Sequence, residues 1–560
     1  MRTPFSLAAR RVSLAARAAV VGTSALSLAG CGARPDDNAR EAEVVLVSTI
    51  GELNRALFMA VEGDRILLAP GTYTGAFDVA PGVTLEGADP LSPPTLQPTA
   101  PVTVVARTST TRRATRLEHL RVAGRGGAIV GVGTGSLVLR DVRIDVGAGY
   151  GIARQGGILD VDGVQVAGAF SSSTQVANLS FPINAAAVSS FGVVTSNTTV
   201  VARDLFVQGM AIAGVTLVKS TTSWRGGGVE RGGGVAINVE GGHATLSGLT
   251  VRDIAIAKTV PAAAGAPAKT VAMAGGIAIV RGAQVTAQRM VLEDVAGFGI
   301  FQDSAAGIYE DLTVRRSAFA GVWAQRAAVG SSSSSFTLGG ASSVFEGNLG
   351  AALALFDQRD VGLSRVLVTG TQARGLFGVA VEGLQGQPAD GIQLIGCYGS
   401  TSLGELSLDH SGRAHLLVDR GSVARDSLVV LTGAIGIGEG VPHMDMTGSQ
   451  TYFPSGGHAN ASCSSTCRGT SEKLATVVAT MVLPTTASSG KRFAVDALAG
   501  ISAADKTPAA VGLIGTNGLI GENGLIGENG LIGENGLIGE NGLIGENGVT
   551  GTSAAASPGN

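Results

Sequence analysis

LVLRDVRIDVGAGYGIARQGGILDVDGVQVAG, Leu137–Gly168, carries the pattern that decides the fold. Apolar residues alternate around Val142 in LVLRDVRID, and the alternation returns around Val164 in LDVDGVQVAG, 22 residues later. Alternation of this kind marks a strand with one buried face. Between the two lies GIARQ, a glycine before an aliphatic residue, with Ile152 placed 10 residues after Val142. Outward from here the first pattern recurs at Leu120, Val142, Val164, Leu205, Leu249, Met290, Leu312 and Val366, in steps of 22, 22, 41, 44, 41, 22 and 54. The second recurs at Ile152, Val193, Val235, Ile277, Ile300 and Val322. A period in this range is the mark of a solenoid. Long 3.6-period runs, which a helical repeat needs, are absent, and the early 22-residue steps contradict a propeller.

The spacings make each long step a single rung with roughly nineteen extra residues at one phase, by analogy with other repeat arrays whose insertions map to one face. Three insertions follow in succession: AFSSSTQVANLSFPINAAAVSS, LVKSTTSWRGGGVERGG and AKTVPAAAGAPAKTVAMAG. They hold Lys219, Lys258 and Lys269, three of the six lysines, with Trp224, Arg225, Glu230 and Arg231. Long loops on a rigid scaffold are where binding residues concentrate, which makes Trp224 and Arg225 candidates.

GDRILLAPGTYTGAFDVAPGVTLEG, Gly63–Gly87, resembles the opening rung of right-handed parallel β-helix proteins of the pectin-lyase-like superfamily. Just before it, TIGELNRALFMAVEG pairs Thr49 with Glu52 as a capping box and sets Ile50, Leu53, Leu57 and Val61 on one helical face. A helix here closes the open end of a coil, as is common in that superfamily, and hides strand edges. The expected class is therefore all-β, a right-handed parallel β-helix solenoid with an N-terminal capping helix. The coil is expected over 48–440, with the pattern blurring after Val381.

Composition agrees with many short strands and tight turns: 84 glycines, 4% aromatic, 15% charged and 45% apolar residues. A net charge of −3 gives no electrostatic case for nucleic acid. Arg2, Arg10, Arg11 and Arg17 precede the apolar run AAVVGTSALSLA, too short to span a bilayer comfortably, which ends in LAGC. Leu28–Cys31 looks like a bacterial lipobox. The resemblance implies a signal over 1–31, acylation of Cys31, a linker over 32–47, and an exported protein held to the membrane, in the outer-membrane case facing the periplasm or the surface. The alternative is an ordinary secretory signal with a chance cysteine.

Cys463 and Cys467 could close a small disulfide loop in an exported chain, leaving Cys397 a single buried thiol. A lone C-x3-C with His458 lacks a second ligand pair, so no metal and no cofactor is expected. The segment 441–510 is irregular. Over 511–549, IGENGL copies from Ile514 to Val549 resemble the hexapeptide repeat of left-handed β-helices, with a flexible Gly-rich tail as the rival reading, and 550–560 ends the chain.

With Ile300, Val322 and Leu353 inward, the next residues point out. Phe301 and Trp323 then stand side by side on a face otherwise made of Ala153, Ala236, Ala278 and Ala354. Such a pair can stack on sugar rings, with Asp303, Arg326, Asp357 and Arg359 as its polar rim. The glycosidases of the superfamily resemble one another in paired aspartates, a Gly-His-Gly and an Arg-x-Lys, none of which is here. The clustered aspartates of calcium-dependent pectate lyases are missing too. Asp409-His410 with Arg413 and His415 reads as a solvated loop, and Asp160 with Asp162 supplies too few ligands for calcium. The first expectation for function is a non-catalytic envelope lipoprotein binding glycan or a partner protein. The alternative is a polysaccharide lyase or glycoside hydrolase.

Overall fold

The computed structural model describes residues 42–170, 189–255, 274–326, 334–372, 390–411, 415–419, 427–437, 444–447 and 450–452. Cys31, Cys463, Cys467 and the repeats of 511–549 lie outside them. The described strands number 36, and every pairing between them is parallel. They form three stacks that the chain visits in turn. Sheet 1 begins Val44–Val47, Arg65–Leu68, Thr84–Gly87. Sheet 2 begins Thr72–Gly75, Thr95–Pro98, Arg121–Gly124. Sheet 3 begins Phe77–Val79, Val102–Arg107, Gly127–Val132. The chain is a parallel β-helix.

One continuous apolar core fills the coil from Val47 to Leu416. The Gly-before-aliphatic signature has a steric cause here. A Cβ on Gly151 would lie 2.5 Å from Val166 Cγ1, and one on Gly214 would lie 2.4 Å from Val229 Cγ1. That column faces inward where sheet 2 meets sheet 3, and at these glycines it leaves no room even for a methyl group. His415 ends the column, buried, where its backbone carbonyl accepts from Ile392 N at 3.0 Å.

Many corners turn on a residue with left-handed φ. Asp141, Asp204, Asp311 and Arg365 turn sheet 1 into sheet 2, while Asp253, Asp294 and Arg316 turn sheet 2 into sheet 3. Asn197, Lys219, Arg281 and Asp357 turn sheet 3 into sheet 1. Short polar side chains tolerate this conformation by bonding nearby backbone, as where Asp311 Oδ1 accepts from Ser342 N at 3.2 Å.

The middle insertion expected from the sequence is instead a complete rung. Val193 pairs with Val215, Ala202 with Trp224, Leu205 with Gly227 and Val207 with Val229, and Val229 pairs onward with Val251. The 44-residue step is therefore two steps of 22, hidden because Gly227 stands where an aliphatic residue usually does. Lys219 and Arg231 are corner residues of that rung.

Helix α1, Ile50–Met59, closes the first end. Thr49 Oγ1 accepts from Glu52 N at 3.2 Å and Glu52 Oε2 accepts from Thr49 N at 3.1 Å. These bonds, with that from Ser48 N first, hold the Glu52 carboxyl below its usual range. Leu53 and Leu57 are buried, but Ile50 and Val61, expected on the same face, remain exposed. Strands continue to Gln450–Tyr452, beyond the end near 440 expected from the pattern.

Candidate functional site

The outward face of sheet 3 differs from its expected form. Phe301 is in register with Trp323, and Trp323 with Ala354. All three belong to a cluster separate from the coil interior, so their outward direction is as expected. Their exposure is not: Phe301 is 1% exposed and Trp323 3%. Phe298, Phe319 and Phe356 pack around Trp323 at ring distances of 5.8, 5.5 and 4.6 Å, and its Nε1 donates to Gln325 Oε1 at 2.9 Å. An indole with its faces and its N–H so occupied offers nothing to a sugar ring. The alanine column also needs correction. Val194, Thr216 and Asn238 occupy it between Ala153 and Ala278, and Gln393 follows Ala354, whereas Ala236 is part of the interior core.

Trp224 is likewise not a surface group. It is 1% exposed, lies in the interior core, and donates from Nε1 to Gly226 O at 2.9 Å. The reason is its regular rung: as Ala202's register partner it takes an inward position. Arg225, next along the strand, points out and is exposed.

The polar rim does assemble, at the corner where sheet 3 turns into sheet 1. Arg326 reaches across a rung so that Nη1 donates to Tyr398 Oη, its guanidinium 5.8 Å from the ring centroid. Tyr398 is in register with Arg359, whose Nε lies 3.2 Å from Asp360 Oδ2. Asp357 is the left-handed corner residue of that rung, its N–H donating to Ile395 O at 2.9 Å. Asp303 stands two rungs earlier and accepts from Ser304 Oγ at 3.0 Å. Arg359 is exposed, and Asp303, Arg326, Asp357 and Tyr398 are half-buried. Beneath them a buried network fixes the corner. Gln302 accepts from Tyr309 Oη at 3.0 Å, and Gln358 accepts from Ser334 Oγ at 2.6 Å.

Tyr398 was missed in the sequence because 39 residues separate it from Arg359, a step that hides their register. Its neighbour Cys397 is buried, as expected, and burial pushes its thiol up to about 12.

The remaining candidates are structural. Asp160 accepts from Arg140 at 2.6 Å, and Arg203 reaches Asp160 and Asp162 at 3.2 and 3.6 Å. His410 is an exposed corner residue paired with Asp409 at 2.7 Å, as a solvated turn would be. His415 turns the other way, its Nδ1 3.2 Å from Ser411 Oγ, and burial holds its pKa below the usual imidazole value. Among the described residues no group of three His, Cys, Asp or Glu side chains could hold a metal.

No family model and no curated protein matches the chain. Solved structures do. A Paenibacillus sp. alginate lyase is 13% identical, with 58% of this chain and 99% of that one covered and a TM-score of 0.31. The catalytic domain of a GH87 α-1,3-glucanase is 11% identical, with 75% and 69% covered and a TM-score of 0.37. The A-module of an Azotobacter vinelandii mannuronan C-5 epimerase is 12% identical, with 71% and 91% covered and a TM-score of 0.27. At such identities the likeness concerns the fold alone, which the strand register establishes without it.

Proposed function

We propose that this chain acts on a polysaccharide at the corner between sheets 3 and 1, as a lyase or glycoside hydrolase held at the cell envelope by an acylated Cys31. The observation that carries this reading is the Arg326–Tyr398 pair, with Arg359 in register beside it. Burial of Trp323 removes the stacking platform on which a purely binding role rested. What the surface keeps is ionisable: two guanidiniums, a phenol and two carboxylates. A guanidinium holds a sugar carboxylate through paired, charge-assisted bonds, and a phenol within reach can carry a proton in the reaction. That combination suits elimination from an acidic sugar. Asp303 and Asp357 offer the hydrolytic variant, since two rungs at about 4.8 Å each set their backbones about 10 Å apart, a span that leaves room for a water between two carboxyl groups as inverting hydrolases require.

The test is incubation of the lipid-modified, full-length-derived protein with acidic and neutral polysaccharides, following unsaturated and reducing ends separately. Unsaturated product lost by roughly 100-fold or more in Arg326→Ala and Tyr398→Phe is the expected lyase result. Reducing ends formed without unsaturated ends, and lost in Asp303→Asn or Asp357→Asn, identify a hydrolase. Retention on a glycan without product makes the protein a binding module, and no interaction with any glycan overturns the reading.

A further inference from the structure

Among the described residues eleven large apolar side chains are exposed, and six of them fall between Val44 and Val61: Val44, Leu46, Ile50, Phe58, Met59 and Val61. Phe58 is 87% exposed and Leu46 65%. Four of the other five, Ile158, Phe206, Ile308 and Leu367, are spread along the coil on sheets 1 and 2. Single exposed apolar residues need no explanation, but several at one place mark an interaction site. Here they belong to the first rung, on the first strand of sheet 1, on the helix that follows it and just beyond that helix. Helix α1 buries only Leu53 and Leu57, so its apolar content exceeds what its capping role uses.

We propose that this capped end is a lipid-contacting surface, lying on the bilayer that holds the acylated Cys31. The proposal rests on the anchor proposed above and adds to it a face and an orientation. Ten residues, 32–41, separate Cys31 from the first described residue, Ala42. The tether from Cys31 to Ala42 spans at most about 40 Å even when fully extended, so this end is the part of the coil nearest along the chain to the anchor. Three glutamates and an arginine lie at this end, Glu43 exposed beside Val44. Glu52 is engaged in the helix cap and Glu62 is bound by Arg112 at 2.6 Å, while exposed Arg55 on the same helix can reach lipid phosphate with its stem along the apolar surface. Phe58 and Met59 then enter the headgroup boundary as the apolar side of an interfacial helix does.

The experiment uses the full chain, exported, lipid-modified and reconstituted in phosphatidylcholine vesicles with or without bromine on the acyl chains. Phe58→Trp introduces an indole at the cap, and Leu367→Trp introduces one far along the coil as the comparison. The mass of the N-terminal peptide reads acylation of Cys31 independently. Expected is loss of Phe58→Trp emission in brominated vesicles with no loss for Leu367→Trp. Equal loss at both positions would show a coil lying flat and would overturn the end-on contact. No loss at either position overturns the docking surface, and the peptide mass then tells whether the anchor survives without it. An unmodified Cys31 removes the anchor and this surface together. Emission of Phe58→Trp already shielded without vesicles, with a doubled particle mass, assigns the face to a second copy of the chain instead.

Discussion

Sheets 2 and 3 are built on the same backbone and stack at the same spacing, yet their outer faces are opposites. On sheet 3, the strands Ala320–Gln325 and Ala351–Phe356 are buried at every position. On sheet 2, Arg121–Gly124 alternates buried and half-buried residues. Its outer column runs Glu230, Arg252, Glu293, Arg315, Glu346 in unbroken register. Parallel sheets usually need cover on both faces. Sheet 2 meets water with paired charges, whereas sheet 3 carries a second apolar cluster. A run with no alternation is the sequence sign of the second arrangement.

The sharpest way to break this comparison is to truncate one residue on sheet 3. Trp323→Ala is expected to destabilise by about 3–5 kcal/mol, the cost of removing a buried aromatic, read as a fall in the denaturation midpoint. A change under about 0.5 kcal/mol, usual for a surface site, would return Trp323 to the surface and revive the stacking platform. Gly214→Val comes next, at about 1–3 kcal/mol for overfilling a packed interior, because its Cβ falls 2.4 Å from Val229 Cγ1. An unchanged thermal midpoint would show that the inward column is not close-packed.

His415 gives a pH-dependent effect. Burial, opposed by nearby Asp409 and aided by His410, depresses its folded pKa. Above the unfolded pKa of about 6.5 both states are neutral and its burial costs no protonation energy. Below it the unfolded chain binds a proton that the folded chain refuses, so stability falls with acidity. Denaturation at pH 7.5 and 5.5 should show this loss in the native chain and a smaller one in His415→Gln. The smallest effect belongs to sheet 2. Arg315→Ala, removing contacts to Glu293 at 3.2 Å and Glu346 at 3.0 Å, is expected to cost about 1 kcal/mol or less. High salt should erase most of it, and a salt-insensitive loss would mean that packing of the arginine stem dominates.

Much of the fold was legible because a coil repeats its constraints. Period 22, the Gly-before-aliphatic column and the Thr49–Glu52 box each have one steric or hydrogen-bonding cause acting at fixed spacing. The rung of Trp224 is not legible in the sequence because glycine at position 227 carries no apolar signal, and a segment that reads as a loop implies exposure that a rung does not. The direction of Phe301 and Trp323 was readable from alternation. Their burial was not, since it depends on packing between rungs and not on position within one. The site divides the same way: Asp303, Arg326, Asp357 and Arg359 were found by their place after the strand, while Tyr398 was reached only through three-dimensional register.

The alternating column on sheet 2 acts as a check on rung order over the five rungs it crosses. In the native register each arginine from Arg252 to Arg315 stands between glutamates, as Arg315 does between Glu293 and Glu346. Skip one rung at any junction of the column and like charges meet there, as Arg252 would meet Arg315 if the Glu293 rung were passed over. One such pair costs little, but every junction of the column carries the same penalty. The apolar interior, nearly indifferent to which aliphatic residue meets which, has no comparable means of telling one rung from the next.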